Sequence, residues 1–348
     1  MIFSGDIALP SFSIVLPETL PKGVWVGNLE GSLIDVDEKE YFENGVYNNI
    51  NAIQKLCAHI PFRVFTIANN HFLDLSNAQT TINNARRIGI PTIGGGANII
   101  EAQKSIVVKD TDDVSYRLLA FGWEIIQCIK AGKNSQGVNP YTYDNVISCV
   151  ESALESQEPV ICLMHWNYEL ELYPQPFDRE LAHLLIDMGV YAVIGCHAHR
   201  VQPIELYKGR PIVYGLGNFA FMQNAFMNKK LKFPEFTYKE IAFEVTKDGG
   251  FRVHHLHYNP EKQSLSYLGA SEIENAPFSG MTSEEYRHFF KTNRFQKKLL
   301  PIFYLDDNWL SYKLKCIFVQ YRHRTIKLLV SNKPVFNAIK NLFSKFSS

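Results

Sequence analysis

Two imidazoles two residues apart, His197 and His199 in the run Gly195-Cys196-His197-Ala198-His199-Arg200, stand where the apolar stretch Val190-Tyr191-Ala192-Val193-Ile194 meets a glycine. An apolar run of this length ending in a loop reads as a buried strand, and the ends of such strands are where layered α/β proteins place their sites. Earlier strand ends carry residues of the same kind: Asp6, Glu30, Asn70 with His71, and His165. Imidazole nitrogens mixed with carboxylate and amide oxygens suit zinc, manganese or iron. Asp6, Glu30, Asn70, His165, His197 and His199 make six candidate ligands. With Glu30 bridging, they would serve two divalent metals and leave positions for water and substrate. Taken singly, each has a plainer reading, as a turn residue, a helix cap or a hydrogen-bonded histidine. Their coincidence at strand ends favours the metal reading, and with it hydrolysis.

The elements that must position these residues show as an alternation of short apolar runs and helix-like segments. Strands are predicted at 23–26 (ending in Gly27-Asn28-Leu29-Glu30), 63–68 (ending in Asn69-Asn70-His71), 117–122, 159–164 (ending in His165), 191–195 and 211–214. Helices are predicted at 48–59, 78–88, 143–156 and 178–188. Strands at 240–245 and 251–257 form an antiparallel pair around Lys247-Asp248-Gly249-Gly250, because Asp-Gly favours tight turns. Such alternation argues for sheets layered with helices. The body closes near residue 270, and 280–348 reads as a helical tail interrupted at Pro301 and Pro334.

The 348 residues suffice for one or two domains with a sizeable core. Equal numbers of basic and acidic residues, 35 each, hide an asymmetry. From residue 290 onward there are 12 Lys and Arg but only Asp306 and Asp307 on the acidic side, so an acidic body carries a basic tail. Cys57, Cys128, Cys149, Cys162, Cys196 and Cys316 lie far apart without zinc-ligand spacing, which reads as reduced, buried thiols in a cytosolic protein. Met1 to Asp6 enter a strand and its site loop directly, and no stretch is apolar enough for a transmembrane helix.

Gly5-Asp6, Asn28-Leu29-Glu30, Ala68-Asn69-Asn70-His71 with Asp74, His165-Trp166 with Glu169, Gly195-Cys196-His197-Ala198-His199 and Tyr214-Gly215-Leu216-Gly217-Asn218-Phe219 follow one another in a familiar order. In them the chain resembles the CapA family (PGA_cap), bacterial capsule and poly-γ-glutamate synthesis proteins of the calcineurin-like metallophosphoesterase superfamily. The likeness covers residues 1–222 and is most specific over 189–221. It implies an α/β fold over 1–275, a sandwich of two mixed β-sheets flanked by helices, followed by a basic helical C-terminal extension over 276–348. It further implies that Asp6 and His199 hold one metal, that Asn70, His165 and His197 hold the other, and that Glu30 bridges. His71 resembles the histidine that protonates the leaving group or steadies the scissile phosphate. Ala8 stands where the wider superfamily has a further histidine, which weakens the Asp6–His199 site, and Asn167 replaces a usual glycine and is expected to narrow the pocket. Relatives mostly carry an N-terminal membrane anchor; none is read here, so a cytoplasmic protein is expected, with the basic tail as the candidate for a peripheral contact with the inner face of the membrane.

The expected function is a metal-dependent hydrolase of a phosphoester or amide bond, acting in synthesis of an anionic capsule polysaccharide or poly-γ-glutamate. Two alternatives stand beside it: an enzyme acting on a small or lipid-linked phosphate, and a non-catalytic assembly protein for polymer synthesis. Glu169 is a candidate to orient a ligand histidine or bind substrate amines, or else forms a loop salt bridge. Arg200 is a candidate bidentate holder of phosphate or carboxylate, or else a surface residue. In the tail, Trp309, Tyr312, Ile317, Tyr321, Leu328, Leu329, Ile339, Leu342, Phe343 and Phe346 alternate with Lys and Arg. Residues 280–330 read as a helical cap on the body, and 331–348 as a contact with anionic lipid or a synthase. Nucleic acid is not an expected partner, since no recognition motif accompanies the charge.

Overall fold

A computed structural model describes residues 1–37, 42, 44–246, 248–294 and 299–331. The predicted alternation resolves into two mixed sheets. The first has eight strands. An antiparallel set, Ser264–Ser271, Phe251–Asn259 and Lys239–Val245, leads into a parallel set, Ile2–Ala8, Trp25–Leu29, Phe62–Thr66 and Thr92–Ile93. Asn218–Phe221 pairs in parallel with the second half of Ile2–Ala8. The second sheet runs Ile204–Tyr207, Arg210–Val213, Ala192–Cys196, Val160–His165, Ser115–Gly122 and Ile106–Lys109, with its four central strands parallel.

Central parallel strands are covered on both faces, and their sequences therefore read as continuous apolar runs. Every residue of Trp25–Leu29, Val160–His165 and Ala192–Cys196 is buried. Phe3, Val26, Phe121, Leu163 and Ile194, from both sheets, face one another across the shared interior. The helices Tyr143–Leu154 and Pro176–Met188 lie on the second sheet.

Boundaries shift where caps and edge pairs decide them. The helix expected from 48 begins at Ile50, because Tyr47–Asn49 pairs as a strand with Ser32–Ile34 and the Asn49 side chain caps the amides of Asn51 and Ala52. The helix expected from 178 begins at Pro176, with a capping box between Gln175 and Asp178, and ends at Gly189 with φ 113°. The strands Ser264–Ser271 and Ile106–Lys109 fall outside the sequence expectations, both at sheet edges where patterning is weaker.

Two motif glycines are required by close approach. A Cβ on Gly5 would lie 2.0 Å from the Gly217 carbonyl oxygen. One on Gly195 would lie 2.2 Å from both the Trp166 indole nitrogen and the Tyr214 carbonyl oxygen, which are hydrogen-bonded to each other at 2.8 Å. These contacts lock the loops that leave the two sheets beside Asp6 and His197.

Of the expected extension, the first part is tied to the body. Arg179 is 2% exposed, pairs with Glu205 at 2.8 Å and donates to the carbonyls of Phe278 and Met281. Arg287, on the helix Ser283–Asn293, pairs with Glu180 at 2.7 Å. The helix Trp309–Ser331 buries Cys316 and Val319, in keeping with a cap, but leaves a second face open. Residues 332–348, and with them most of the expected lipid or synthase contact, lie outside the described residues. Among the described residues no helix is long and apolar enough to cross a membrane. All six cysteines are free thiols, four of them buried.

Gly195→Ala is expected to lower the urea midpoint by the equivalent of about 1–3 kcal/mol, the cost of overpacking a rigid site. An unchanged midpoint would show that the indole–carbonyl contact yields without cost.

Candidate metal centre

In each sheet the central strands are parallel, so their C-terminal ends share one edge, and the two edges meet. The first sheet brings Asp6, Glu30 and the loop bearing Asn70 and His71; the second brings His165 and the loop bearing His197 and His199. Asp6 and Glu30 are both fully buried. The Asn28 side-chain amide donates to Asp6 Oδ1 and to Glu30 Oε2, each at 2.8 Å. Thr66 Oγ1 donates to Asn28 Oδ1 at 2.7 Å, which fixes the amide with its hydrogens toward the carboxylates.

The remaining distances are short. His199 Nδ1 lies 3.2 Å from Asp6 Oδ2 and donates to Asn218 Oδ1 at 2.8 Å. His165 Nε2 lies 2.9 Å from Asn70 Oδ1 and 3.7 Å from Glu30 Oε2. The rings of His165 and His197 are 4.8 Å apart, those of His197 and His199 5.8 Å apart. One ligand atom from each of Asp6, Glu30 and His165 lies within 4.8 Å of the others. All six sequence-derived ligand candidates thus come together.

The loop achieves this placement through backbone strain. His197 and His199 have φ of 89° and 52°, in the left-handed region that side chains disfavour. The His197 amide donates to Asp6 Oδ2 at 3.3 Å, the Leu170 amide to the Ala198 carbonyl at 2.9 Å, and the Leu216 amide to the Gly195 carbonyl at 3.0 Å. Asn167, also buried with φ of 65°, keeps a backbone form that glycine would adopt freely. Its side chain turns to the Tyr173 carbonyl and the Tyr168 amide and does not line the cleft, so the expected narrowing does not arise.

Charge in this dry floor is unbalanced. Burial, and next the Asp6 charge, push the Glu30 carboxyl up to about 8. Burial alone would raise Asp6 too, but the His199 hydrogen bond and charge outweigh it and hold Asp6 below the usual carboxylate range. Burial likewise opposes a charged His199, yet Asp6 lifts it to about 9. Burial takes His165 down to about 3, so its imidazole stays neutral and ready to ligate. Glu30 Oε1 and His165 Nδ1 are buried with no hydrogen-bond partner among the described residues. A neutral imidazole, an amide oxygen and two facing carboxylates, one starved of counter-charge, fit a divalent cation.

The two halves differ. Ala8, two residues after Asp6, is buried in an apolar cluster with Tyr47, Phe221, Phe226 and Phe233. The His199 ring lies 4.6 Å from Phe233 and 5.4 Å from Phe221. The Asp6–His199 half is therefore clad in aromatic rings, whereas His165 meets the Asn70 side chain and the His197 ring.

Above the floor opens a cleft of about 250 Å³ lined by Asn70, His71, Tyr168, Glu169, His197 and His199. His71 Nδ1 is 2.6 Å from Asp74 Oδ2. Burial opposes a charged ring, but that bond and the Glu30 charge outweigh it and hold the His71 pKa above its ordinary value. Arg200 is not part of this lining: it donates to the Leu170 carbonyl at 3.2 Å and covers the Phe236 ring at 4.2 Å. The arginine on the wall is Arg322, beside His323, both from the helix Trp309–Ser331. Neither figures in the sequence reading, because no local pattern ties residue 322 to strand ends so distant along the chain. Asn28, present there only as a motif residue, orients the carboxylates, and Asn218 holds His199.

Asp74→Asn is expected to shift the His71 titration to lower pH, followed by NMR of the ring C–H. The carboxylate raises the pKa of the folded ring, and the amide removes that charge. An unmoved titration would show that Asp74 does not hold the proton on His71.

Residues 10–223 match the family described as "Bacterial capsule synthesis protein PGA_cap". The PGA biosynthesis protein CapA of Bacillus subtilis (strain 168) is 30% identical over 171 residues, which cover 49% of this chain and 45% of that protein. The capsule biosynthesis protein CapA of Bacillus anthracis is 27% identical over 206 residues, covering 57% and 50%. The chain spans about half the length of the curated relatives it matches. Among solved structures, a 5'-nucleotidase precursor from Thermus thermophilus is similar at a TM-score of 0.33 and 15% identity, over 64% of this chain and 41% of that one. The family match takes in Glu30, Asn70, His71, His165, His197 and His199, and on that match over more than half of its length the chain belongs to the PGA_cap family of bacterial capsule synthesis proteins.

Proposed function

We propose that this chain is a metal-dependent hydrolase acting on a phosphoester or amide bond in the synthesis of an anionic capsule polymer. The observation that carries the reading is the convergence of Asp6, Glu30 and His165 ligand atoms within 4.8 Å at the floor of a cleft whose wall bears His71. Asp6 and His199 would hold one divalent ion, Asn70, His165 and His197 a second, with Glu30 between them. Bound there, manganese, zinc or iron supplies Lewis-acid charge and a water more acidic than bulk water.

The chain's own residues do the rest. Asp74 engages Nδ1 of His71 and favours the protonated ring, and Nε2 would donate a proton to the departing oxygen or nitrogen. Apolar residues on the rim, Phe221, Phe233 and Leu300, exclude water from the floor and strengthen the electrostatics there. Arg322 and His323 face the same space and suit an anionic group of the substrate on the side away from the metal ligands. Glu169, on the cleft wall, suits a substrate amine or a ligand histidine.

Turnover of an activated phosphodiester and of a γ-linked glutamyl amide, with manganese or zinc added to metal-stripped protein, tests the reading. His71→Ala is expected to lower kcat by about 10²–10⁴-fold. Asp6→Ala and His197→Ala are expected to lower metal content as well as turnover. If all three variants turn over as the parent does, or the parent is inert on both substrates with metal bound, the reading fails. Arg322→Ala is expected to raise KM on the order of 10-fold with a smaller change in kcat, since it removes one charge-assisted contact remote from the bond broken.

A further inference from the structure

The helix Trp309–Ser331 presents two apolar faces, not one. Its inner face packs on the body: Cys316 and Val319 are buried, and Tyr312 meets Phe303 with ring centroids 5.5 Å apart. On the opposite side Leu310, Leu314, Ile317 and Tyr321 recur at i, i+4, i+7 and i+11, the spacing of a single helical stripe, with Phe318 beside them. Each of these five is between 51% and 72% exposed. Exposed Lys313, Arg324 and Lys327 border the stripe, and the Lys313 ammonium lies 4.5 Å over the ring of Trp309, itself 72% exposed. Over Trp309–Ser331 the sequence has five Lys and Arg and no Asp or Glu.

We propose that this outer face docks on an anionic membrane surface, with the helix lying in the interfacial plane. An apolar stripe with aromatic residues at its margins and cations along its flank matches the boundary between acyl chains and negative head groups. A second copy of the chain fits less well, because its helix would bring five more cations and no carboxylate to the same contact. A soluble acidic partner would satisfy the cations but gives no account of so wide an apolar stripe. The geometry has a consequence for the cleft. The inner side of the same helix carries Arg322 and His323 into the wall of the cleft, so docking sets the cleft about one helix diameter, ~10 Å, from the lipid. The inference is independent of whether the cleft binds metal.

Flotation of the full chain with vesicles of phosphatidylcholine alone, and of phosphatidylcholine with phosphatidylglycerol, tests it. The chain is expected to float with the anionic vesicles and to stay behind with the neutral ones. The double variants Leu314→Glu with Ile317→Glu, and Lys313→Glu with Arg324→Glu, alter only exposed side chains and are expected to keep the parent's thermal midpoint. Each is expected to lose on the order of 10-fold in partitioning. Failure of the parent to float with anionic vesicles overturns the proposal, as does equal flotation with neutral ones. So does undiminished flotation of the Leu314→Glu, Ile317→Glu variant. A parent dimer in sedimentation velocity that the same double variant dissociates would assign the face to self-association instead.

Discussion

Two carboxylates buried side by side set the terms for everything around them. Asp6 and Glu30 sit at neighbouring strand ends with no exposure to water, and one amide group, that of Asn28, donates a hydrogen to each. Without more, the pair cannot carry two charges: burial and mutual repulsion keep Glu30 protonated into the neutral range, while Asp6 keeps its charge through His199. A fold that only needed stability would replace such a pair with apolar side chains. Its retention in the middle of two apolar sheets makes sense if positive charge is brought to it. The surrounding histidines, the Asn70 oxygen and the orphaned Glu30 Oε1 are arranged as they would be around a cation.

Delivering the residues to that point is the task of the parallel strands. A parallel strand is held by neighbours on both sides and covered on both faces, so its end is a rigid mount. The Asp6 end is further fixed by register shifts against both Trp25–Leu29 and Asn218–Phe221, where the strand bulges and turns its carboxylate inward. Gly5 and Gly195 permit backbone from neighbouring loops to approach closer than any side chain would allow. The left-handed backbone at His197 and His199 costs on the order of 1 kcal/mol each. The buried strands that lead into it over-determine the loop and offset that cost.

How much of this was legible in the sequence follows from how local each feature is. The strands that end at Glu30, His165 and Cys196 announce themselves as apolar runs closed by polar or glycine-rich loops, and so their terminal residues could be picked out as ligand candidates. The helix starts were legible to within two residues, and the errors fall where a cap or a short edge pair, not periodicity, decides the boundary, as at Asn49 and Pro176. Features that depend on which element lies beside which were not legible. Arg200 stands next to His199 in the chain, yet the reversal of the backbone there sends its guanidinium to Phe236. Arg322 reaches the cleft from a helix with no sequence link to it. That helix also misled in its own way: its two apolar faces cancel as an amphipathic signal, and only packing one of them reveals the other as a surface.

The floor and the walls of the cleft are therefore written in different parts of the chain. Nearly all of the floor lies within the stretch shared with the family, which ends at residue 223, whereas Met227, Leu231, Phe233, Leu300, Arg322 and His323 on the walls follow it. The proposed bond cleavage rests on the floor, where Asp6 and Glu30 meet the imidazoles of His165, His197 and His199. On that proposal the walls would meet whatever part of a substrate extends beyond the bond at the floor. Phe226 and Phe233 join the two regions: arising after the shared stretch, they pack with Ala8 and Phe221, and Phe233 lies against His199. A residue from the wall region thus shapes the ligand environment on one side of the floor. On the proposed reading, relatives that share the six floor residues would differ both in what they admit and in how firmly the Asp6–His199 half would hold an ion.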